Sequence, residues 1–361
     1  MNDTKSPPTV EAIDVRKRSV SELLAAMGKT AYQGRTLAEA AETWQAMLQQ
    51  KQLLVVMGLA GSMSTAGQWK QIRWLIENRY IDVLVSTGAN VSEDIVEAMG
   101  HGYIQGTAHT NDTELLAADL NRYYDIYGKE TDYRDMEELL TDFICSLPDH
   151  STLSSMEFLH LLGHWLDVKG IDSIIATAAR CGVPVFSPAL FDSAFGEAYF
   201  MAKNRGKHIV VDQGREFDQF VGIGARVKDV GVIYIGGGVP KDFTQLMAIS
   251  LSPRFQDEAV PGRRGFERKS VKEFYYPHRY AIQITTDSPQ WGGLSGCTLD
   301  EAISWGKVLA EGRHVTCYCD ATIALPVLIH ALAERVDHRQ HTPDLSWLFE
   351  SLDRNSTNDS Q

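Results

Sequence analysis

A 361-residue chain with 47 acidic against 34 basic side chains has a formal net charge of −13, which argues against general affinity for nucleic acid. Its 44% hydrophobic and 22% charged content are those of a globular protein that can bury a sizeable core, as one large α/β domain or two average ones. No apolar run reaches the roughly 18 residues of a spanning helix, no Cys-x-x-Cys pair occurs, and the polar start Met1–Pro8 lacks a signal core, so a reducing cytoplasm and no membrane are expected.

In chain order, residues 1–14 read as a flexible segment, 15–350 as one domain and 351–361 as a flexible tail. Between the ends, short β-rich runs lead repeatedly into small-residue turns and then helices. Leu53–Met57 precedes Gly58-x-x-Gly61, which with Ser62, Ser64 and Thr65 resembles a phosphate cradle ahead of a helix. Ile81–Val85 precedes Ser86-Thr87-Gly88 and a helical stretch around Glu93–Met99. His160 and His164 stand one helical turn apart, a metal-binding spacing, but lack a third ligand; no metal is expected. Val183–Phe186 precedes Ser187-Pro188-Ala189-Leu190, and His208–Val211 is a further apolar run. Val230–Ile235 precedes Gly236-Gly237-Gly238, where bare backbone would admit another molecule, and then a helix around Phe243–Ser250. Arg254–Arg279 has no period and carries Arg263, Arg264, Arg268, Lys269 and Lys272; it reads as a surface excursion or an oligomer contact. Tyr280–Ile284 precedes Thr285-Thr286-Asp287, and Val315–Cys319 precedes Asp320-Ala321.

Continuous apolar runs alternating with helices predict an α/β fold: a doubly wound, mainly parallel sheet with helices on both faces. Ligands in such sheets collect at the carboxyl ends of the strands, where these turns lie. Several small-residue turns on one edge point to a nucleotide.

Asp300-Glu301-Ala302-Ile303-Ser304-Trp305-Gly306-Lys307 is the densest chemical signal. Thr298 and Glu301 match a capping box that starts a helix, and Gly312 is placed to end it. Gly306 then sits inside the helix at a cost of about 1 kcal/mol, leaving room beside Lys307. An amine kept dry beside the Trp305 indole can attack a carbonyl or imine carbon.

This octapeptide, Pro184–Leu190, Ile235–Lys241, Asp82–Val85 and Tyr318–Ala321, in this order, make the chain resemble the deoxyhypusine synthase family over about Val15–Arg335. The resemblance implies a soluble, NAD-dependent transferase, assembled as a homotetramer with sites shared between subunits. It implies that an aminobutyl unit passes from a polyamine such as spermidine to an enzyme lysine as a Schiff base, and then to an acceptor amine. By position, Lys307 is the implied imine-carrying lysine, Trp305 the indole beside the polyamine, and Glu301 and Glu197 amine-binding acids. Glu93 falls where cofactor and amine meet. Gly61, Ser62, Met63, Ser64, Thr65, Ser86, Thr87, Gly88, Asp192, Gly237, Thr285, Thr286, Asp320 and Ala321 fall at NAD-binding positions.

Departures qualify the reading. Asp242 stands where the family has an active-site histidine and joins the substrate-binding set, while Trp291 and Leu294 stand where two polyamine-binding aspartates belong. A changed set of acids with an intact lysine segment favours a small amine acceptor and a homospermidine-type product. The alternatives are a deoxyhypusine synthase acting on a protein lysine, an amine oxidoreductase, and a non-catalytic NAD-binding protein.

Overall fold

The computed structural model describes residues 8–252, 265–268, 273–339, 341–350 and 352. Six parallel strands form the central sheet: β1 (Leu53–Leu59), β2 (Val83–Ser86), β3 (Val185–Phe186), β4 (Asp229–Ile235), β5 (His278–Thr285) and β6 (Val308–Tyr318). Their spatial order is β3-β2-β1-β4-β5-β6. The chain steps outward from β1 to β3, returns to the other side of β1 as β4, and steps outward again. That reversal opens a crevice at the carboxyl ends of β1 and β4, the switch point where doubly wound sheets bind ligands.

Alternation along the strands divides the core in two. Leu53, Val55, Met57 and Leu59 of β1 face one side, under Trp44 and Met47 of the helix Tyr32–Leu48 and Leu325 and Leu328 of the helix Ala321–Arg335. Leu54 and Val56 face the other, with Phe220 of the helix Gln213–Ala225 and Phe243 and Met247 of the helix Gly238–Ser250. Both faces of β1 are therefore buried, as its unbroken apolar run requires.

Two runs differ from their sequence reading. Ile209–Val211 lies outside the main sheet and pairs with Ser151–Leu153. Val210 is 55% exposed, which a strand covered on both faces does not allow. β6 begins seven residues before the run read at Val315, because its first half is an edge carrying exposed Glu311 and Arg313. Within the excursion read at 254–279, Phe266–Arg268 and Glu273–Tyr275 form an antiparallel hairpin, and His278 and Arg279 belong to β5. Residues 254–264 and 269–272, with most of the basic cluster, lie outside the described residues, as do 1–7, 351 and 353–361 of the two ends read as flexible. No described helix is long and apolar enough to cross a membrane.

The amino-terminal ends of the strands are bolted by a buried ion pair. Arg339 Nη1 meets Asp82 Oδ2 at 2.8 Å with both side chains fully buried, and its Nη2 donates to the Leu53 carbonyl at 2.6 Å. The same Asp82 oxygen accepts the Val55 N–H at 2.8 Å. Removing one partner strands the other charge, so Arg339→Met should cost about 3–5 kcal/mol in urea unfolding. Adding Asp82→Asn should recover much of it, and a single variant as stable as wild type would show that the pair holds nothing.

A second buried carboxylate gives a pH signature. Asp94, in the helix Gly88–Ala98, accepts the Ile174 N–H, and burial pushes it up to about 7. Its folded value exceeds its unfolded one, so the ionisation penalty is absent below about pH 4, grows as pH rises, and is complete above about pH 7. Asp94→Asn removes that penalty, and relative to wild type it should gain about 3 kcal/mol between pH 4.5 and pH 8 in urea unfolding.

Candidate active site

The Thr298–Glu301 capping box forms as read, with Thr298 N–H donating to Glu301 Oε2 at 2.6 Å and Glu301 N–H to Thr298 Oγ1 at 3.0 Å. The helix it starts is shorter than read: Leu299–Ser304. Gly306 is not inside it. With φ of +75° it turns the chain out of the helix, while its N–H donates to Ile303 O and the Lys307 N–H to Ala302 O, a Schellman stop. Gly312 lies instead within β6. A Cβ on Gly306 would also stand 2.7 Å from the Tyr275 ring. The glycine therefore places Lys307 on the first step into β6 rather than on a helix face.

From there the Lys307 amine reaches Asp242 Oδ1 at 2.8 Å and lies 5.5 Å from the Trp305 ring centroid. The sequence reading put the amine dry beside the indole; the structure adds a carboxylate partner, and Trp305 is 61% exposed. Beneath this pair, Lys241 is fully buried and donates to Gln283 Oε1 at 3.1 Å, Leu294 O at 3.1 Å and Cys297 O. Burial lowers its pKa, opposed by nearby Cys297 and Glu301. Gln283 in turn donates to Gly236 O at 3.1 Å and Ser295 O at 2.9 Å.

Gly237 is packed on one side by this chain's own loop. A Cβ there would meet Ser295 Cα at 2.3 Å, so the absence of a side chain is required by the Ser295 loop. Gly58 likewise lies within β1 against Tyr234 and Pro240, not in a cradle.

The nucleotide-type loops converge on Asn90. Its side chain accepts the Met63 N–H at 2.7 Å and donates to Gly61 O at 3.0 Å and Thr87 Oγ1 at 2.8 Å, while its carbonyl accepts from Ser64 Oγ at 2.6 Å. Ser62 bonds Thr65 Oγ1 at 2.7 Å and donates to Glu93 Oε2. These hydroxyls serve the loops' own structure, so phosphate donors would have to come from backbone. Such backbone is present: the helices Gly88–Ala98 and Gly238–Ser250 both start at strand ends without a side-chain cap, and Gly61 is exposed with φ of +74°. The residues present fit a dinucleotide at the switch point. Ser86 ends β2, Thr285 ends β5 with its hydroxyl accepting the Asp287 N–H, and Thr286 is exposed beside it. Asp320 caps the helix that begins at Ala321.

Glu93 leads away from these loops into a cavity of about 910 Å³. Five carboxylates line it, Glu93, Glu130, Glu137, Asp192 and Glu197, against one guanidinium, Arg134. Burial raises the pKa of Glu93, opposed by bonds from Ser62 and Tyr123, and burial and then the Glu197 charge raise that of Glu137. Tyr123 donates to Glu93 Oε1 at 3.2 Å, and Tyr133 to Tyr123 at 2.9 Å. Lys307, Asp242, Glu301 and Trp305 do not line this cavity. The structure thus gathers the predicted residues into a lysine group and an acid group, and among the described residues the acid group alone lines this cavity.

His160 and His164 face each other, Nε2 to Nε2 at 3.2 Å, with Phe349 stacked on His160. Among the described residues no cluster of three ligand-type side chains joins them.

Fold and site define a class: a doubly wound α/β protein with dinucleotide-type strand order and a carboxylate-paired lysine at a strand end. The family model of deoxyhypusine synthase matches residues 22–332. "Probable deoxyhypusine synthase 2" of Methanosarcina mazei is 43% identical over 94% of both chains. "Deoxyhypusine synthase-like protein" of Chlorobaculum tepidum is 34% identical, covering 88% of this chain and 87% of that one. A crystal structure described as a candidate deoxyhypusine synthase of Entamoeba histolytica superposes with a TM-score of 0.57 at 16% identity, over 88% of this chain and 94% of that one, and so shares the fold. The chain belongs to the deoxyhypusine synthase family, and by that membership is an alkyl-group transferase.

Gly306→Ala should destabilise by about 1–3 kcal/mol, from the left-handed backbone and the ring contact together. In a Tyr275→Ala background the same change should cost about 1 kcal/mol less in a double-mutant cycle. Equal costs in both backgrounds would show that the ring does not demand the glycine.

Proposed function

We propose that the protein transfers an aminobutyl unit from a polyamine such as spermidine to a small diamine, through an imine on Lys307, with NAD as its resident cofactor. The observation that carries this reading is an occluded lysine amine beside an indole, in a family of aminobutyl transferases. The chemistry NAD supplies when bound is a hydride sink at the donor's carbon beside nitrogen and a hydride source for the product. Gly61, the start of the helix at Gly88, Thr285 and Asp320 would hold it at the strand ends.

Lys307 Nζ, as a free amine, bonds to the donor's imine carbon; the C–N bond to diaminopropane breaks, and that amine leaves with a proton. The acceptor amine displaces Nζ in the same way. Trp305 covers the intermediate and presents a cation–π face. The surplus carboxylates of the large cavity suit a multiply cationic substrate, since desolvated acids gain most from an ammonium partner. Among the described residues the acid cavity is lined without Lys307, Asp242, Glu301 or Trp305, which supports a homotetramer with sites completed between subunits.

A small acceptor is favoured by Trp291 and Leu294, which leave two family carboxylate positions apolar. Trp291 is 75% exposed, and the Leu294 carbonyl is engaged by Lys241. A protein lysine as acceptor is the second reading, favoured by family membership itself.

Incubation with NAD, spermidine and putrescine should yield homospermidine, and Lys307→Arg should abolish both product and the borohydride-trapped adduct. Labelling of a hypusine-bearing translation factor without homospermidine would make the acceptor a protein. No adduct at Lys307 with either acceptor would end the imine route.

A further inference from the structure

Lys307 and Asp242 are unequally placed for their 2.8 Å contact. The lysine side chain is 11% exposed and the aspartate 42%, so the amine is occluded while a face of its carboxylate partner is open. Neither neighbour of the pair is free to replace a member. All three N–H groups of Lys241 are spent on Gln283, Leu294 and Cys297, so it offers Asp242 no second cation. Glu301 is turned to the Thr298 N–H at 2.6 Å in its capping box, whereas the ion pair of Lys307 is with Asp242. An amine donating to a carboxylate in an ion pair has its lone pair committed to a proton and cannot attack carbon.

We propose that Asp242 gates Lys307: a cationic amine arriving at the open face of Asp242 takes over the carboxylate and frees the lysine to react. The exchange replaces one N–H···O contact by another with nothing oxidised. The Lys307 ammonium then gives its proton to water, and the neutral amine is left beside Trp305. A partly exposed pair is weak enough for such competition, since contacts of this kind are worth about 1 kcal/mol. The lysine is thus several-fold more reactive when an amine substrate is present, which slows its reaction with adventitious carbonyl compounds. The gate deepens the transfer reaction proposed above and rests on its reading of Lys307 as the nucleophile.

The test needs no turnover. The full-length protein is treated with acetaldehyde and cyanoborohydride, and alkylation of the Lys307 peptide is followed by mass spectrometry, with exposed Lys70 as internal reference. The added cation is N,N,N′,N′-tetramethylputrescine, whose protonated tertiary amines can pair with a carboxylate but form no imine. Wild-type Lys307 should label slowly, and about 5-fold faster with the diamine. Asp242→Asn should label at the fast rate without it and be indifferent to it, while Asp242→Glu should restore slow labelling. Equal rates in wild type and Asp242→Asn, or a diamine that leaves wild type unchanged or slower, would overturn the gate. Because the readout is alkylation, a working gate without homospermidine would sink only the transfer assignment, and homospermidine without a gate only the gate.

Discussion

The lysine side of the site depends on one buried ammonium. Lys241 has no exposed surface, and its three donors go to three oxygens: the Gln283 amide, the Leu294 carbonyl and the Cys297 carbonyl. Taking that charge out of water would cost several kcal/mol if any donor were left unmet. The acceptors belong to the end of β5 and the loop that follows, and Lys241 itself follows the triple-glycine turn after β4. Two adjacent strand ends and the loop feeding the helix Leu299–Ser304 are therefore fixed to one another before any ligand arrives. Gln283 completes the tie by donating to Gly236 and Ser295. Ser295 can approach only because residue 237 has no side chain.

Much of the sheet was legible because burial on both faces writes an unmistakable pattern. Leu53–Leu59 and Val230–Ile235 are apolar throughout, and that continuity marks interior strands. The first half of β6 was invisible for the converse reason: an exposed edge tolerates Glu311 and Arg313, so nothing apolar announces it. Gly306 shows where local reading fails. A glycine near a helix end is a C-terminal stop as readily as an interior cost, and only the left-handed φ and the two Schellman bonds decide between them. The one available signal was the brevity of the segment from Thr298, six helical residues, after which a glycine is a common stop.

Residues whose roles arise through long-range contact left no local mark at all. Asn90 ties the loops after β1 and β2, yet in sequence it is an ordinary polar residue early in a helix. Glu137 joins Glu197 in the acid cavity from 60 positions away, and Tyr123 reaches Glu93 from a short antiparallel strand. Lys241 was quoted only as part of a motif, because burial of a lysine cannot be seen without its three acceptors. Positional resemblance points to Lys307, Glu93 and Glu197 without these supports, and the structure shows bonds that hold Lys307 and Glu93.

The charge pattern of the lysine group has an internal logic of its own. Trp291 and Leu294, both apolar, lie on the loop that Lys241 pins through the Leu294 carbonyl. An acid side chain at 294 would bring an anion close to a buried ammonium already saturated by neutral oxygens, and would compete for it. Moving the negative charge to Asp242, next to Lys241 in sequence, sends it toward Lys307 instead. The loop can then be closed by carbonyl groups alone, while the open carboxylate of Asp242 stands against the Lys307 amine. The negative charge of the lysine group is thereby set against the Lys307 amine, and the identity of residue 242 decides what that amine meets.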